Sequence, residues 1–128
     1  MAKMGFSERL YLQYLRSKFK TINSLSPQKS AKLAFQLFCT PYPKYKKRKL
    51  TALFHAAKPL SVLFKEDLIL RGFEWIPSQP NGQSVLIMHG YASFSFKFEQ
   101  YIAPLLKNGF KVICFDAPGH GVSDGKYI

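Results

Sequence analysis

The chain has 128 residues, 47% of them apolar, and a formal net charge of +12, which is enough for one domain with a core and too little for two of ordinary size. No apolar run approaches the roughly 20 residues of a membrane span, and the opening Met-Ala-Lys-Met-Gly-Phe-Ser-Glu-Arg lacks the apolar core of a secretory signal. The charge is lopsided: residues 1–65 hold 14 Lys and Arg against the single acid Glu8, while residues 66–128 hold 5 bases and 6 acids.

The basic first half is suited to phosphate, an anionic lipid surface or an acidic protein patch. It contains no nucleic-acid reading module, only charge with scattered aromatics, so nucleic acid is not the expected partner. Cys39 and Cys114 have neither metal-ligand nor redox spacing, and Cys114 sits inside an apolar run. Two unpaired thiols fit a reducing compartment, so the expectation is a cytoplasmic protein.

Phe6, Leu10, Tyr11, Tyr14, Leu15, Phe19 and Ile22 recur at intervals of three and four, which predicts a helix from Phe6 to about Leu25 with one apolar side. Arg9, Arg16, Lys18 and Lys20 occupy the rest. Such a helix either packs on its own domain with a solvated basic side or lies on a membrane surface. Ser26-Pro27 opens a second helix, because serine caps free N–H groups and proline at the first helical position loses no bond. Ala31, Ala34, Phe35 and Phe38 would form its inner side, and Thr40-Pro41-Tyr42-Pro43 would end it. Residues 44–49 carry five positive charges and read as a solvated linker. A third short helix, Leu50 to Ala57, stops before Pro59.

The pattern then changes to strands. Ser61 to Lys65 and Leu68 to Ile76 form a hairpin across Glu66-Asp67, and Gly72 leaves room for a bulge. Residues 77–83, with Pro80 and Asn81-Gly82, form a turn. Val85 to Met88 is apolar without alternation and so expects cover on both faces. A helical pattern follows from Phe96 to Asn108, with a kink or two half-helices expected at Pro104 and Gly109 as terminator. Lys111 to Phe115 is the next strand. A strand, a helix and a second strand in this order predict a parallel unit, whose ligands sit beyond the carboxyl ends of the strands.

The tails of those two strands carry the polar residues. Val85-Leu86-Ile87-Met88-His89-Gly90-Tyr91, then a helix ending Leu105-Leu106-Lys107-Asn108-Gly109-Phe110, then Val112-Ile113-Cys114-Phe115-Asp116-Ala117-Pro118-Gly119-His120-Gly121-Val122-Ser123, resembles the start of an α/β-hydrolase of the serine esterase or lipase-like kind. The resemblance covers about residues 61–125. It implies an α/β fold: a partial hydrolase sheet, made of an antiparallel hairpin plus a parallel strand–helix–strand, preceded by basic N-terminal helices. The chain accordingly divides into residues 1–60, a basic helical extension, and residues 61–128, the N-terminal part of the hydrolase domain.

The resemblance assigns the backbone N–H of Tyr91 to the oxyanion hole, with His89 and Gly90 shaping its loop. Asp116, Gly119, His120 and Gly121 belong to the loop after the next strand, which walls the site; Asp116 is expected to brace it and His120 to be partly exposed. His89, His120 and a carboxylate have no local ligand spacing, so no metal is expected, and the family's serine chemistry needs no cofactor.

Gly121-Val122-Ser123-Asp124-Gly125 matches Gly-x-Ser-x-Gly letter for letter, but that motif requires a strand running directly into the turn. Pro118 and two glycines separate Ser123 from its strand, so it reads as the cap of a following helix rather than as the nucleophile. No other elbow occurs, nor an acid and histidine after one. The expectation is a polypeptide that is truncated, or one piece of a longer or split protein, and inert alone. It would supply the oxyanion loop of an acyl hydrolase acting on ester-type substrates once joined to its C-terminal half. The alternative is a non-catalytic basic module docking on an anionic membrane or a protein partner.

Overall fold

The computed structural model describes residues 5–41 and 50–128. The expected linker at 44–49 and the Tyr42-Pro43 part of the helix stop lie outside the described residues. The chain divides into two compact units, Met1–Cys39 and Thr40–Ile128.

The first unit is a helix pair, α1 (Phe6–Leu25) and α2 (Pro27–Phe38). The Glu8 carboxylate accepts the Gly5 N–H at 2.9 Å, satisfying one donor that the first turn leaves over. Ser26 caps α2 as expected, its hydroxyl accepting the Lys29 N–H at 3.3 Å. The expected inner side of α2 is corrected. Phe35 is 67% exposed and Phe38 70%, while Ser30, about 100° around the helix, is the buried residue. Both helices present wide apolar arcs, so periodicity alone did not say which part of each arc is covered.

The second unit is a four-stranded sheet of order β1-β2-β4-β3, with β1 Lys58–Lys65, β2 Leu68–Trp75, β3 Ser84–Met88 and β4 Lys111–Phe115. β1 and β2 pair antiparallel across Glu66-Asp67, β2 and β4 antiparallel, and β3 and β4 parallel. β1 starts before Pro59, which a sheet-edge strand accommodates because one row of N–H groups has no ladder to serve. The register shift falls between Leu63 and Lys65, and the ladder runs on unbroken through Gly72. Gly72 instead lets β2 and β4 approach closely, for a Cβ there would overlap the Cys114 carbonyl.

α4 (Glu99–Lys107) follows a 3₁₀ turn at Ser95–Phe98. It runs through Pro104 as one helix and not as two half-helices, and the change from 3₁₀ to α falls between Phe98 and Glu99. At its end the Gly109 N–H reaches the Leu106 carbonyl and the Phe110 N–H the Leu105 carbonyl, at 3.0 and 3.1 Å. This double bond pattern is the glycine-terminated end that Gly109 implied.

One face of the sheet carries the core: Trp75, Val112 and Cys114 from the strands, Ile102 from α4, and Phe54 from α3 (Ala52–His55). Phe54 meets the rings of Phe73 and Trp75 edge-on at 5.1 Å, and the Trp75 indole N–H donates to the Leu53 carbonyl at 2.8 Å. On the opposite face Glu74 lies between Lys111 and Lys58, at 2.5 and 3.8 Å. Its hydrogen bond to the Lys111 ammonium holds it below the usual carboxylate range, against the effect of burial.

The expectation of cover on both faces of β3 is corrected. Val85 and Ile87 are half-buried, whereas Leu86 and Met88 are 60% and 55% exposed. Among the described residues β3 pairs only with β4, which leaves its other edge as a template for a further strand. No helix among the described residues is long and apolar enough to cross a membrane.

Both cysteines are free thiols, Cys39 half-buried and Cys114 buried. Burial, with the Asp116 charge adding to it, pushes the Cys114 thiol up from 9.0 to about 12. Above pH 9 the unfolded chain loses this proton first. Folding stability is therefore intact below that pH and falls as the pH rises toward 12, by on the order of 1 kcal/mol per pH unit. Iodoacetamide at pH 8 is expected to modify Cys39 in the folded protein and Cys114 only after denaturant is added. Equal labelling of both thiols in the folded protein would show that the β4 core is not closed.

Candidate functional site

β3 and β4 lie side by side and parallel, with Met88 opposite Phe115. The loops that follow them, 89–94 and 116–124, therefore leave from the same sheet end, where open α/β sheets place their ligands. The structure brings the two predicted segments together.

Asp116 is the centre of their junction. Its side chain is fully buried; Oδ1 accepts the Ser95 N–H at 2.7 Å and the Ser95 hydroxyl at 2.6 Å, and Oδ2 accepts the Val122 N–H at 2.9 Å. One carboxylate thus ties the start of the 3₁₀ turn to the second loop. With both oxygens engaged by donors, it has the geometry of a brace and not of a base. Gly121, at φ 48°, lies directly over it, and a Cβ there would overlap the carboxylate. A tight turn on a buried acceptor leaves room for no side chain.

The histidines are equally committed. The His89 side chain is only 1% exposed; its Nε2 accepts the Ala117 N–H at 2.9 Å and its Nδ1 lies 2.8 Å from the Gly90 carbonyl. His120 is 5% exposed, against the expectation of partial exposure. The turn at Pro118–Gly119 folds its ring inward, where Nε2 accepts the Ala92 N–H at 3.2 Å and Nδ1 meets the Pro118 carbonyl at 2.8 Å. A ring nitrogen that accepts an N–H carries no proton, so the 3.7 Å approach of His89 Nε2 to Asp116 is not a charged pair.

Gly90 has no conformational need to be glycine. Its φ is not positive and a Cβ there would meet nothing within 4 Å. The left-handed residue of this loop is Ala92, two residues on, at φ 52°, the one non-glycine of that kind among the described residues. Holding an alanine there costs roughly 1–2 kcal/mol. Tyr91, half exposed, sits between them at the tip.

Ser123 is placed where it cannot be activated by either histidine, since both Nε2 atoms already hold backbone N–H groups. Its hydroxyl accepts the Arg71 N–H at 2.8 Å and donates to the Asp116 carbonyl at 2.5 Å. Nor does it cap a helix, for none occurs between 124 and 128; the polar neighbour that claims it is 52 residues away on β2. Arg71 also donates to the Val122 carbonyl at 3.1 Å and pairs with Asp124, whose carboxyl its hydrogen bond and charge hold below the usual range. Ser95 and Arg71, which fasten the two loops, were not singled out from sequence. Nothing local marks either, because each acts on a residue 21 or more positions distant. No cluster of metal-ligating side chains occurs among the described residues.

Comparison with known proteins finds likeness in the same stretch of chain. Residues 79–128 match the family model of the serine aminopeptidases, S33. A serine hydrolase-like protein of Danio rerio is 44% identical over 54 residues, which are 42% of this chain and 16% of that protein. An abhydrolase domain-containing protein of Dictyostelium discoideum is 36% identical over 61 residues, 48% of this chain and 6% of that one. Among solved structures, a Pyrococcus furiosus esterase superposes with a TM-score of 0.56 at 26% identity, covering 69% of this chain and 34% of the esterase. The chain thus spans about a sixth of the Danio rerio relative's length.

Proposed function

We propose that this chain, which has the α/β-hydrolase fold, carries the N-terminal part of such an enzyme and supplies the oxyanion loop and one wall of an acyl-hydrolase site. The backbone N–H of Tyr91 is the donor toward the reacting carbonyl, and Asp116, Gly119, His120 and Gly121 hold the wall. One observation carries the reading: two loops at the same end of parallel strands, joined by a fully buried carboxylate, with a left-handed Ala92 beside the donor. Strain of this kind is kept where the surrounding structure over-determines it, and it clusters at active sites, ligand clamps and switch regions. One such donor contributes about 2.7–4 kcal/mol to lowering the barrier.

The nucleophile, its acid and its histidine belong to sequence other than residues 1–128, and the substrate is an ester or a related acyl compound. We place residues 61–128 in the hydrolase domain, with Phe54 and the start of β1 just before them packed into its sheet unit, the earlier residues of the 1–60 stretch as a basic extension, and the protein in the cytoplasm. The purified chain is expected to remain unlabelled by a fluorophosphonate probe and to hydrolyse no p-nitrophenyl ester. Labelling at Ser123, abolished by Ser123→Ala, would overturn this division of labour.

A second reading has its own support in the helix pair. Phe6, Leu10 and Tyr14 form an exposed stripe on α1, Arg9, Arg16 and Lys20 form the next stripe around it, and the Lys18 ammonium lies 5.7 Å over the Tyr14 ring. An aromatic stripe bordered by cations suits an anionic lipid surface. Co-sedimentation with vesicles containing phosphatidylserine, but not with pure phosphatidylcholine, is the expected result. Equal recovery with both would remove this reading.

A further inference from the structure

Two hydrogen bonds between the site loops mirror each other. His89, on the first loop, takes the N–H of Ala117 from the second; His120, on the second, takes the N–H of Ala92 from the first. The sequence separation is 28 in both cases, and the ring centroids are 4.9 Å apart. Each Nε2 must be unprotonated to accept, so each ring carries its proton on Nδ1, where a carbonyl of its own loop receives it. We propose that His89 and His120 form a reciprocal latch between the two loops, and that His120 is the positioning residue for the oxyanion turn.

The argument for His120 rests on Ala92. A left-handed alanine relaxes to negative φ unless something outside the turn holds it. The Ser93 N–H to Gly90 carbonyl bond at 3.3 Å closes the turn from within, and His120 grips it from outside at the strained residue itself. If Ala92 relaxed, the backbone on either side would swing, and the Tyr91 N–H with it. This step rests on the reading of Tyr91 as the oxyanion donor; the latch itself does not. Protonating either Nε2 would set one donor against another and open that half of the latch. The titratable groups packed against the pair are Asp116, 3.7 Å from His89 Nε2, the Tyr91 ring, edge-on to His120 at 6.0 Å, and each histidine for the other.

The test uses the full chain and needs no catalysis. Imidazole 15N spectra at neutral pH should show both rings as the Nδ1–H tautomer, changing together with loss of Ala92 and Ala117 amide protection as the pH is lowered. His120→Phe, which keeps a ring but removes the acceptor, should speed Ala92 amide exchange about tenfold while leaving Val112 and Cys114 unchanged. His120→Gln should restore most of that protection, because its carboxamide oxygen reaches the Nε2 position. A ring packed only for bulk would show the reverse order of the two variants. An Nε2–H tautomer at His120, or Ala92 exchange unaltered in His120→Phe, overturns the latch. If His120→Phe does not fold, the tautomer of the unaltered protein still decides. Because none of these readouts involves acyl transfer, failure of the hydrolase reading would leave them unchanged.

Discussion

Asp116→Asn is expected to destabilise the sheet unit by roughly 3 kcal/mol or more, although it changes one atom. The carboxylate accepts from three donors, two at Ser95 and one at Val122. An amide offers one oxygen, so either orientation turns its NH2 against N–H or O–H groups that point at it. Each buried donor left without an acceptor costs about 1–3 kcal/mol, and no solvent reaches the fully buried side chain to compensate. The urea midpoint, read by tryptophan fluorescence at Trp75, measures the loss. A midpoint within error of the parent would mean that the loops are held together by something other than this carboxylate.

Gly72→Ala is expected to be as damaging for a different reason. Gly72 lies in the second strand with Leu60 opposite on one side and Phe115 on the other. An added Cβ would overlap the Cys114 carbonyl and come within 2.8 Å of the Phe115 ring. The ring can turn, but the carbonyl belongs to the neighbouring strand and can yield only if β2 and β4 separate. Overpacking against movable side chains costs about 1–3 kcal/mol; against backbone the upper end of that range or beyond is expected. The Trp75 near-UV signal should weaken as well, since Trp75 pairs with Val112 in the same ladder. Gly90→Ala is the matched control, with open space around the new Cβ, and should leave the midpoint unchanged. If Gly72→Ala behaved like that control, the close strand approach would not depend on glycine.

Much of the frame is local in origin and was therefore legible before any coordinates. Ser26-Pro27 starts a helix because its hydroxyl and fixed φ act within three residues, and Gly109 ends one through bonds reaching back three to five. Glu66-Asp67 joins two runs of branched and aromatic residues, and the apolar runs ending at Met88 and Phe115 pair in parallel because a helix lies between them. The same two strand ends predicted where the polar loops would meet.

What those loops do to one another was decided only in three dimensions. Ala92 carries no letter that announces a left-handed backbone, and Gly90, the glycine of the same loop, does not adopt one. His120 between two glycines reads as exposed until the loop folds its ring against His89. Ser123 sits in a perfect nucleophile motif, yet its hydroxyl is claimed by Arg71 across 52 residues. Periodicity and capping report forces between near neighbours along the chain; a hydrogen bond between distant loops depends on where the sheet delivers both partners.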